Sequence, residues 1–330
     1  MKRWKNRPAG SNWGDFGEDD QLGRLNLITA ERRRAAVAEV REGIAFPLSL
    51  PLDFPKGDYA HGPRKPPKLA STALGHNHRF RPGVADVVND DFAVIHLQYS
   101  TQWDSLAHVG AMFDVDGTGE PVICYYNGYR GGTDIVGDPS GSVEPHAGAL
   151  GIETMAQTSV QGRGVLVDLE RAVGRERVVV GYEMLAGILA AQNVTVETGD
   201  ILCLHTGLTG IMLDLGENLT QQTLNRSCAA LDGSDDRLLQ WITDSGISAI
   251  VADNLAVESF RLEPAAGAEY ALPLHAHCLF KQGIPLGEMW YLSGLNSWLR
   301  EHGRSRFLLT GPPLRLPGAV GSPVSGVATV

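Results

Sequence analysis

Residues 98–108, Gln98-Tyr99-Ser100-Thr101-Gln102-Trp103-Asp104-Ser105-Leu106-Ala107-His108, set two amides, a carboxylate and an imidazole at short intervals. The preceding Ala93-Val94-Ile95-His96-Leu97-Gln98 alternates apolar and polar as a strand does. Counting by twos then puts Gln98, Gln102 and Asp104 on one side. Groups so placed can converge on one ion or one bound molecule. The same residue types also serve turns, where Asp, Ser and Thr hold backbone N–H groups and a buried Gln acts as a hydrogen-bonded spacer. Spacing alone leaves both readings open.

The segment resembles the first signature of the cyclase family that includes bacterial kynurenine formamidase and isatin hydrolase, His-x-Gly-Thr-His-x-Asp-x-Pro-x-His. Thr101, Asp104 and His108 coincide with that pattern. Gln98 and Gln102 stand where it has its paired histidines, Ser100 replaces the Gly and Leu106 the Pro. Further segments resemble the longer bacterial members, in the family's order: Asn12-Trp13-Gly14, Asp19 to Thr29, Tyr126-Asn127-Gly128, Gly162 to Asp168, Val251 to Glu258, Gly283 to Glu288 and Pro317 to Pro323.

The resemblance implies an α/β chain with the family's swivelling β/β/α fold, and a divalent metal, usually zinc or manganese, that activates water against an amide carbonyl. By the same token Gln98, Gln102, Asp104, His275 and Glu288 are the implied metal set, and His108 the proton shuttle. An amide oxygen is a neutral, hard ligand, weaker than imidazole, so an oxygen-rich set favours manganese or magnesium over zinc. The alternative is that the metal has been lost and the two glutamines hold a substrate or each other by hydrogen bonds.

In Pro273-Leu274-His275-Ala276-His277-Cys278 the two histidines lie two apart, and an extended segment could turn either or both to the site; the separation from Glu288 favours His275. Trp103 is a candidate wall for a planar substrate, with Asp253 and Asn254 as orienting groups. Trp103 could equally be core and Asp253 a strand-end cap. His96 matches no ligand of the resembled family and is read as a packing or hydrogen-bonding residue.

The elements that must position these groups alternate in the second half of the chain. Gly164 to Leu169 and Ile201 to His205 read as buried strands, Tyr182 to Gln192 and Asp236 to Asp244 as helices, and Ile247 to Val251 as a strand entered through Gly246. That order predicts parallel pairing with right-handed crossovers. Thr29 caps a helix through Glu31 to Val40 that Gly43 ends. The first half, richer in Pro and Gly, reads as strand-dominated. Residues 1–25 form an N-terminal arm. Residues 55–82, with Tyr59, His61, His76 and His78, read as a long loop over the site or at a subunit contact. No linker divides residues 1–330, so one domain is expected.

Composition excludes several function classes. With 43% hydrophobic and 20% charged residues, the 330-residue chain can bury a sizeable core. A formal charge of −10 argues against nucleic acid as the main partner. Basic Lys2 to Arg7 and Arg32 to Arg34 read as a solvated terminus and a helix face. Cys124, Cys203, Cys228 and Cys278 are scattered, without the pairing of a zinc ribbon or disulfide framework. No signal peptide and no apolar run of membrane-crossing length occurs, so a cytoplasmic protein without membrane partners is expected. Neither a dinucleotide fingerprint, a P-loop nor a Gly-x-Ser-x-Gly elbow is present.

Together these readings predict a hydrolase of a small cyclic or aromatic amide, lactam or lactone. A cyclase, dehydratase or isomerase using the same pocket, or a metal-free binding protein, are the alternatives. The resemblance further implies a homodimer or homotetramer acting on a small-molecule substrate.

Overall fold

Apolar runs bounded by glycines and capped helices pair side by side to make the centre of the molecule. The structure is a computed structural model that describes residues 2–57, 64–73, 75–138, 140–259 and 267–330. Among the described residues nine strands form the main sheet: β1 (Ala45–Pro47), β2 (Gln102–Asp104), β3 (Gln161–Asp168), β4 (Ile201–His205), β5 (Ala249–Ala252), β6 (Leu286–Glu288), β7 (Arg306–Thr310), β8 (Gly321–Pro323) and β9 (Val327–Thr329). Their spatial order is β1-β9-β7-β3-β4-β5-β6-β2-β8. The neighbours β3, β4, β5 and β6 are parallel, and the remaining pairs are antiparallel.

Both faces of the parallel strands are buried, which explains their continuous apolar character. Val165, Val167, Leu202, Leu204, Ile250 and Ala252 pack into one core layer. Leu166, Ile201, Cys203, Ala249 and Val251 pack into the other, as the period of two requires. Helix α1 (Ala30–Val37) begins where Thr29 predicts but stops at Val37 rather than Val40, with Ala38 and not Gly43 at its end, while α2 (Tyr182–Ala191) and α3 (Asp236–Ser245) fall where the pattern predicts. Thr29 caps α1 through the Arg32 N–H, and Asp235 caps α3 through the N–H groups of Arg237 and Leu238. The strand entered through Gly246 is Ala249–Ala252, two residues later at its start than the apolar run suggests.

Two expectations are corrected. Ala93 to Gln98 is not one buried strand: Asp91–Val94 pairs with Lys68–Ser71 in a ribbon whose eight residues are all exposed, and the chain then turns at residues 97–100. Residues 55–82 are not structureless, since Lys68–Ser71 and His78–Arg79 belong to ribbons, while Tyr59 and His61 lie outside the described residues. His96 is exposed beside that turn, where its backbone carbonyl accepts the Tyr99 N–H.

The helical segment α4 (Pro273–His275) runs into a wider π turn, Ala276–Gln282, and the N-terminal arm clasps it. The Trp13 indole N–H donates to the Phe280 carbonyl (2.7 Å) and the Asn12 amide to the Gln282 carbonyl (2.9 Å). Arg24 donates to the Ile242 and Thr243 carbonyls and to Gln282 Oε1. Asn127 ties the arm by donating to the carbonyls of Gly17 and Asp20. Two motif segments, Asn12 to Gly14 and Asp19 to Thr29, thus brace one turn, and a third, Tyr126 to Gly128, braces the arm. The closest approach is Gly23 on Gly283, both at positive φ (57° and 58°), where a Cβ on Gly23 would run into the Gly283 backbone. Gly23→Ala should therefore cost about 2 kcal/mol or more, read as a lower urea midpoint, whereas an unchanged midpoint would show that the clasp has slack.

Candidate functional site

The site is built where β2 meets β6. Gln102 faces Glu288 and Asp104 faces Leu286 in antiparallel register. Alternation then sends Gln102 and Asp104 to one side and Trp103 to the other. Trp103 is fully buried, donates its indole N–H to the Gly311 carbonyl (2.7 Å) and packs edge-on against Trp290 at 5.1 Å. It is core, and the expectation that it walls the pocket is corrected.

Gln102 and Asp104 have no solvent exposure, and Glu288 has 4%. The Gln102 Nε2–H donates to Glu288 Oε2 at 2.8 Å and reaches Asp104 Oδ1 at 3.4 Å. Reversing the amide would set its oxygen against the carboxylates, so the orientation is fixed by charge. That leaves Gln102 Oε1 and Asp104 Oδ2 buried without a hydrogen-bond partner. Burial, opposed by His108 and aided by Glu288, pushes the Asp104 carboxyl up to about 6.

His275 enters from α4. The segment is helical, not extended, and residues two apart on a helix point to opposite sides. His275 accordingly faces the carboxylates, whereas His277 turns away to Thr243 Oγ1 at 2.9 Å, its pKa lowered to about 4 by burial and Lys281. Glu258 holds His275 from behind: its Oε1 accepts from His275 Nδ1 (2.6 Å) and the His275 backbone N–H (2.9 Å), and its Oε2 from the Leu274 N–H (3.1 Å). His275 Nε2 reaches Glu288 Oε1 at 3.3 Å. Burial alone would lower this imidazole, but the two glutamates raise it to about 10.

His108 is 21% exposed at the rim, with Nε2 3.7 Å from Asp104 Oδ1. Burial lowers its pKa against the pull of Asp104, and His275 and Arg64 add to the fall, so it is neutral and able to accept a proton at pH 7. Gln98 lies in the turn before β2, half-buried, its amide packed on Gly321, the β8 residue opposite Asp104, where a Cβ would overlap it. The Gln98 carbonyl accepts from Arg64 at 3.0 Å.

Asp253 and Asn254 are spent on backbone. Asp253 accepts from the N–H groups of Thr206 (2.6 Å) and Gly207 (2.9 Å), which makes it a strand-end cap. Asn254 bonds to the backbone of Ala229 and Val257 and so shapes the turn that delivers Glu258. Glu258 and Arg64 escaped the sequence reading. Glu258 closes the quoted Val251 to Glu258 segment, and that was its only signal; Arg64 sits inside the stretch read as loop.

One donor atom from each of Asp104, His275 and Glu288 lies within 4.8 Å of the others. Ligands about 2.1 Å from a small divalent ion lie at most roughly 4.2 Å apart, so modest side-chain movement closes the set. The two unsatisfied oxygens of Gln102 and Asp104 supply further acceptors of the kind a hard cation takes. The residues therefore fit a divalent ion, with an oxygen-rich donor set.

The nine-stranded sheet thus carries Asp104 and Glu288 on adjacent antiparallel strands and receives His275 from α4, which makes a buried cluster of carboxylates and imidazole. The Cyclase family model ("Putative cyclase") matches residues 47–259, and a crystal structure of a novel cyclase is 32% identical, covers 97% of each chain and superposes with a TM-score of 0.77. The chain belongs to the cyclase family. Isatin hydrolase A from Ralstonia solanacearum (14% identity, 91% of this chain and 97% of that one, TM-score 0.58) shares the fold. So does isatin hydrolase A from Labrenzia aggregata (14% identity, 89% and 95%, TM-score 0.57). No curated protein matches the sequence. Among the described residues no helix is long and apolar enough to cross a membrane.

The Glu258 carboxylate carries three hydrogen bonds at 3% exposure. Glu258→Gln should lower stability by about 3 kcal/mol in chemical denaturation, because it removes the nearer of the two counter-charges of a buried imidazole; a change below about 0.5 kcal/mol would contradict this role.

Proposed function

We propose that the chain is a metal-dependent hydrolase that opens a small cyclic or aromatic amide, lactam or lactone. The observation that carries this reading is the pair of buried, unsatisfied oxygens, Gln102 Oε1 and Asp104 Oδ2, beside the Asp104, His275 and Glu288 cluster. Asp104, Glu288, His275 and Gln102 would hold the ion, with Gln98 beside them, and manganese or magnesium suits these ligands better than zinc. Such an ion supplies Lewis acidity, polarising a carbonyl and easing deprotonation of water at neutral pH.

The protein's own groups do the rest. The Gln102 amide N–H holds Glu288 and Asp104 in place. Glu258 fixes the Nδ1–H tautomer of His275, so that Nε2 points at the carboxylates. His108, neutral and open to solvent on one side, takes a proton from the attacking water and returns it to the leaving nitrogen or oxygen.

One observation favours a second reading, a metal-free binding protein: a protonated His275 between Glu258 and Glu288 balances part of the buried charge without an ion. Ring closure, dehydration or isomerisation in the same pocket is the remaining alternative. Mass spectrometry of products from a panel of cyclic and aromatic amides, lactams and lactones with added manganese separates them. Hydrolysis adds the mass of one water, and His108→Ala should slow it by about 10²-fold or more. A product of unchanged mass, or a rate indifferent to His108→Ala, would contradict the scheme.

We further propose that the chain is a homo-oligomer. Phe92 and Val94 on one face of the exposed ribbon and Leu69 on the other are 52%, 58% and 76% exposed. An isolated two-stranded ribbon is only marginally stable in water, so a second copy covering it is expected. Sedimentation should give a dimer or tetramer that a Leu69→Asp, Phe92→Asp double variant dissociates; a monomer in both cases would contradict it.

A further inference from the structure

A second buried cluster of ionisable groups, which the scheme above does not use, lies at the carboxyl ends of the parallel strands. His205 ends β4 with 2% exposure. Its Nδ1 lies 3.1 Å from Oδ1 of Asp168, the last residue of β3. Its Nε2 lies 3.2 Å from Ser293 Oγ, at the start of α5 (Ser293–Glu301), 3.6 Å from Glu170 Oε2 and 3.9 Å from Oδ2 of Asp253, just beyond β5. One imidazole thus meets three carboxylates and the hydroxyl that opens a helix.

Asp168, His205 and Ser293 stand in the order of a nucleophilic triad, which needs a neutral imidazole to take the serine proton. The surroundings of His205 oppose that. Burial would lower its pKa, but the hydrogen bond to Asp168 and the charges of Asp253 and Glu170 outweigh burial and raise it. The charged imidazole is therefore the favoured form, with Nδ1–H donating to Asp168 and Nε2–H to Ser293 Oγ. His205 serves as a cation and leaves the hydroxyl unactivated. Asp253 depends on it: the carboxylate has no exposure, burial pushes its pKa up, and His205, the Thr206 hydroxyl (2.6 Å) and the Thr206 and Gly207 N–H groups pull it down.

The segment this cluster fixes is Ala252-Asp253-Asn254. The Ala252 carbonyl accepts the Trp290 N–H (3.1 Å) and the Asn254 carbonyl the N–H of Met289 (2.9 Å), which directly follows Glu288. The Trp290 indole N–H donates to the Gln102 carbonyl at 3.0 Å. Asn254 Oδ1 accepts the N–H of Val257 (2.8 Å), which directly precedes Glu258. Glu288, Gln102 and Glu258 are thus tied to one strand end whose central carboxylate faces His205. Ser293 holds the chain leaving Glu288 from its far side.

We propose that His205 is a positioning residue for the candidate site: its charge, shared among Asp168, Glu170 and Asp253 and extended to Ser293 by a hydrogen bond, holds the ends of β5 and β6 where Glu258 and Glu288 meet His275. A neutral side chain at this position leaves buried carboxylates without their counter-charge, so the strand end relaxes and the site loosens with it. A guanidinium, permanently charged and with donors on several sides, replaces the cation.

Two readouts on the full chain test this, and only the first rests on the metal reading of the site. In a manganese titration followed by electron paramagnetic resonance of the free ion, His205→Gln should weaken binding by about tenfold or more. Ser293→Ala, which removes a half-buried hydroxyl and keeps the test open if His205→Gln does not fold, should weaken it by about fivefold. His205→Arg should restore it to within about twofold. In proton NMR, the short His275 Nδ1–H bond to Glu258 (2.6 Å) should give a strongly deshielded resonance, identified by its loss in His275→Gln. That resonance should shift or broaden in His205→Gln and Ser293→Ala and return in His205→Arg. Affinity and resonance unmoved by His205→Gln and Ser293→Ala, or His205→Arg as impaired as His205→Gln, would overturn the proposal. Wild-type protein that binds no manganese counts against the metal reading alone, and the resonance then decides.

Discussion

Three carboxylates, Asp104, Glu258 and Glu288, are buried together with one imidazole between two of them, and the arrangement of this end of the molecule follows from their need for counter-charge. Isolated buried carboxylates are costly, and a site that keeps several must supply donors, protons or a cation. Glu258 is answered by His275 and two backbone N–H groups, and Glu288 by His275 and the Gln102 amide. Asp104 is answered least: one oxygen receives only a long contact from Gln102 and the rim imidazole of His108, and the other has no partner. Asp104 is thus where a cation does most for the fold as well as for chemistry.

The scaffold holds this cluster rigid from three directions. The β2 and β6 register fixes Gln102 against Glu288. The turn shaped by Asn254 delivers Glu258 beneath α4. The N-terminal arm, through Trp13 and Arg24, braces the π turn that follows His275. Wide turns of this kind interrupt ordinary helices mostly at functional sites, and here the turn sets apart two histidines with opposite fates. His275 is raised by carboxylates, and His277 is lowered by burial beside cations.

Much of this was legible in the sequence where one local rule governed. Period two placed Gln102 and Asp104 on one side of a strand, and continuous apolar runs located the parallel strands, because burial on both faces leaves no polar alternation. Counting by twos puts Gln98 on the same strand, but the count runs through residues that fold as an exposed ribbon and a turn; alternation does not distinguish a core strand from a solvated one. Trp103 reads as a pocket candidate from its ring, although the same alternation turns it into the core. Glu258 was not legible as a site residue, because its role depends on a turn that brings it under a helix 17 positions further on.

The central claim is that the oxygens of Gln102 and Asp104 complete a site for a divalent ion even though amides stand where the resembled signature has histidines. Its most direct measurement is elemental analysis of protein purified without chelator and then equilibrated with manganese, alongside the thermal midpoint. The account predicts a stoichiometric ion, absent from Asp104→Asn, and stabilisation by manganese of about 2.7 kcal/mol at a hundredfold excess over the dissociation constant. Protein that holds no divalent ion and whose midpoint is unmoved by manganese would contradict it.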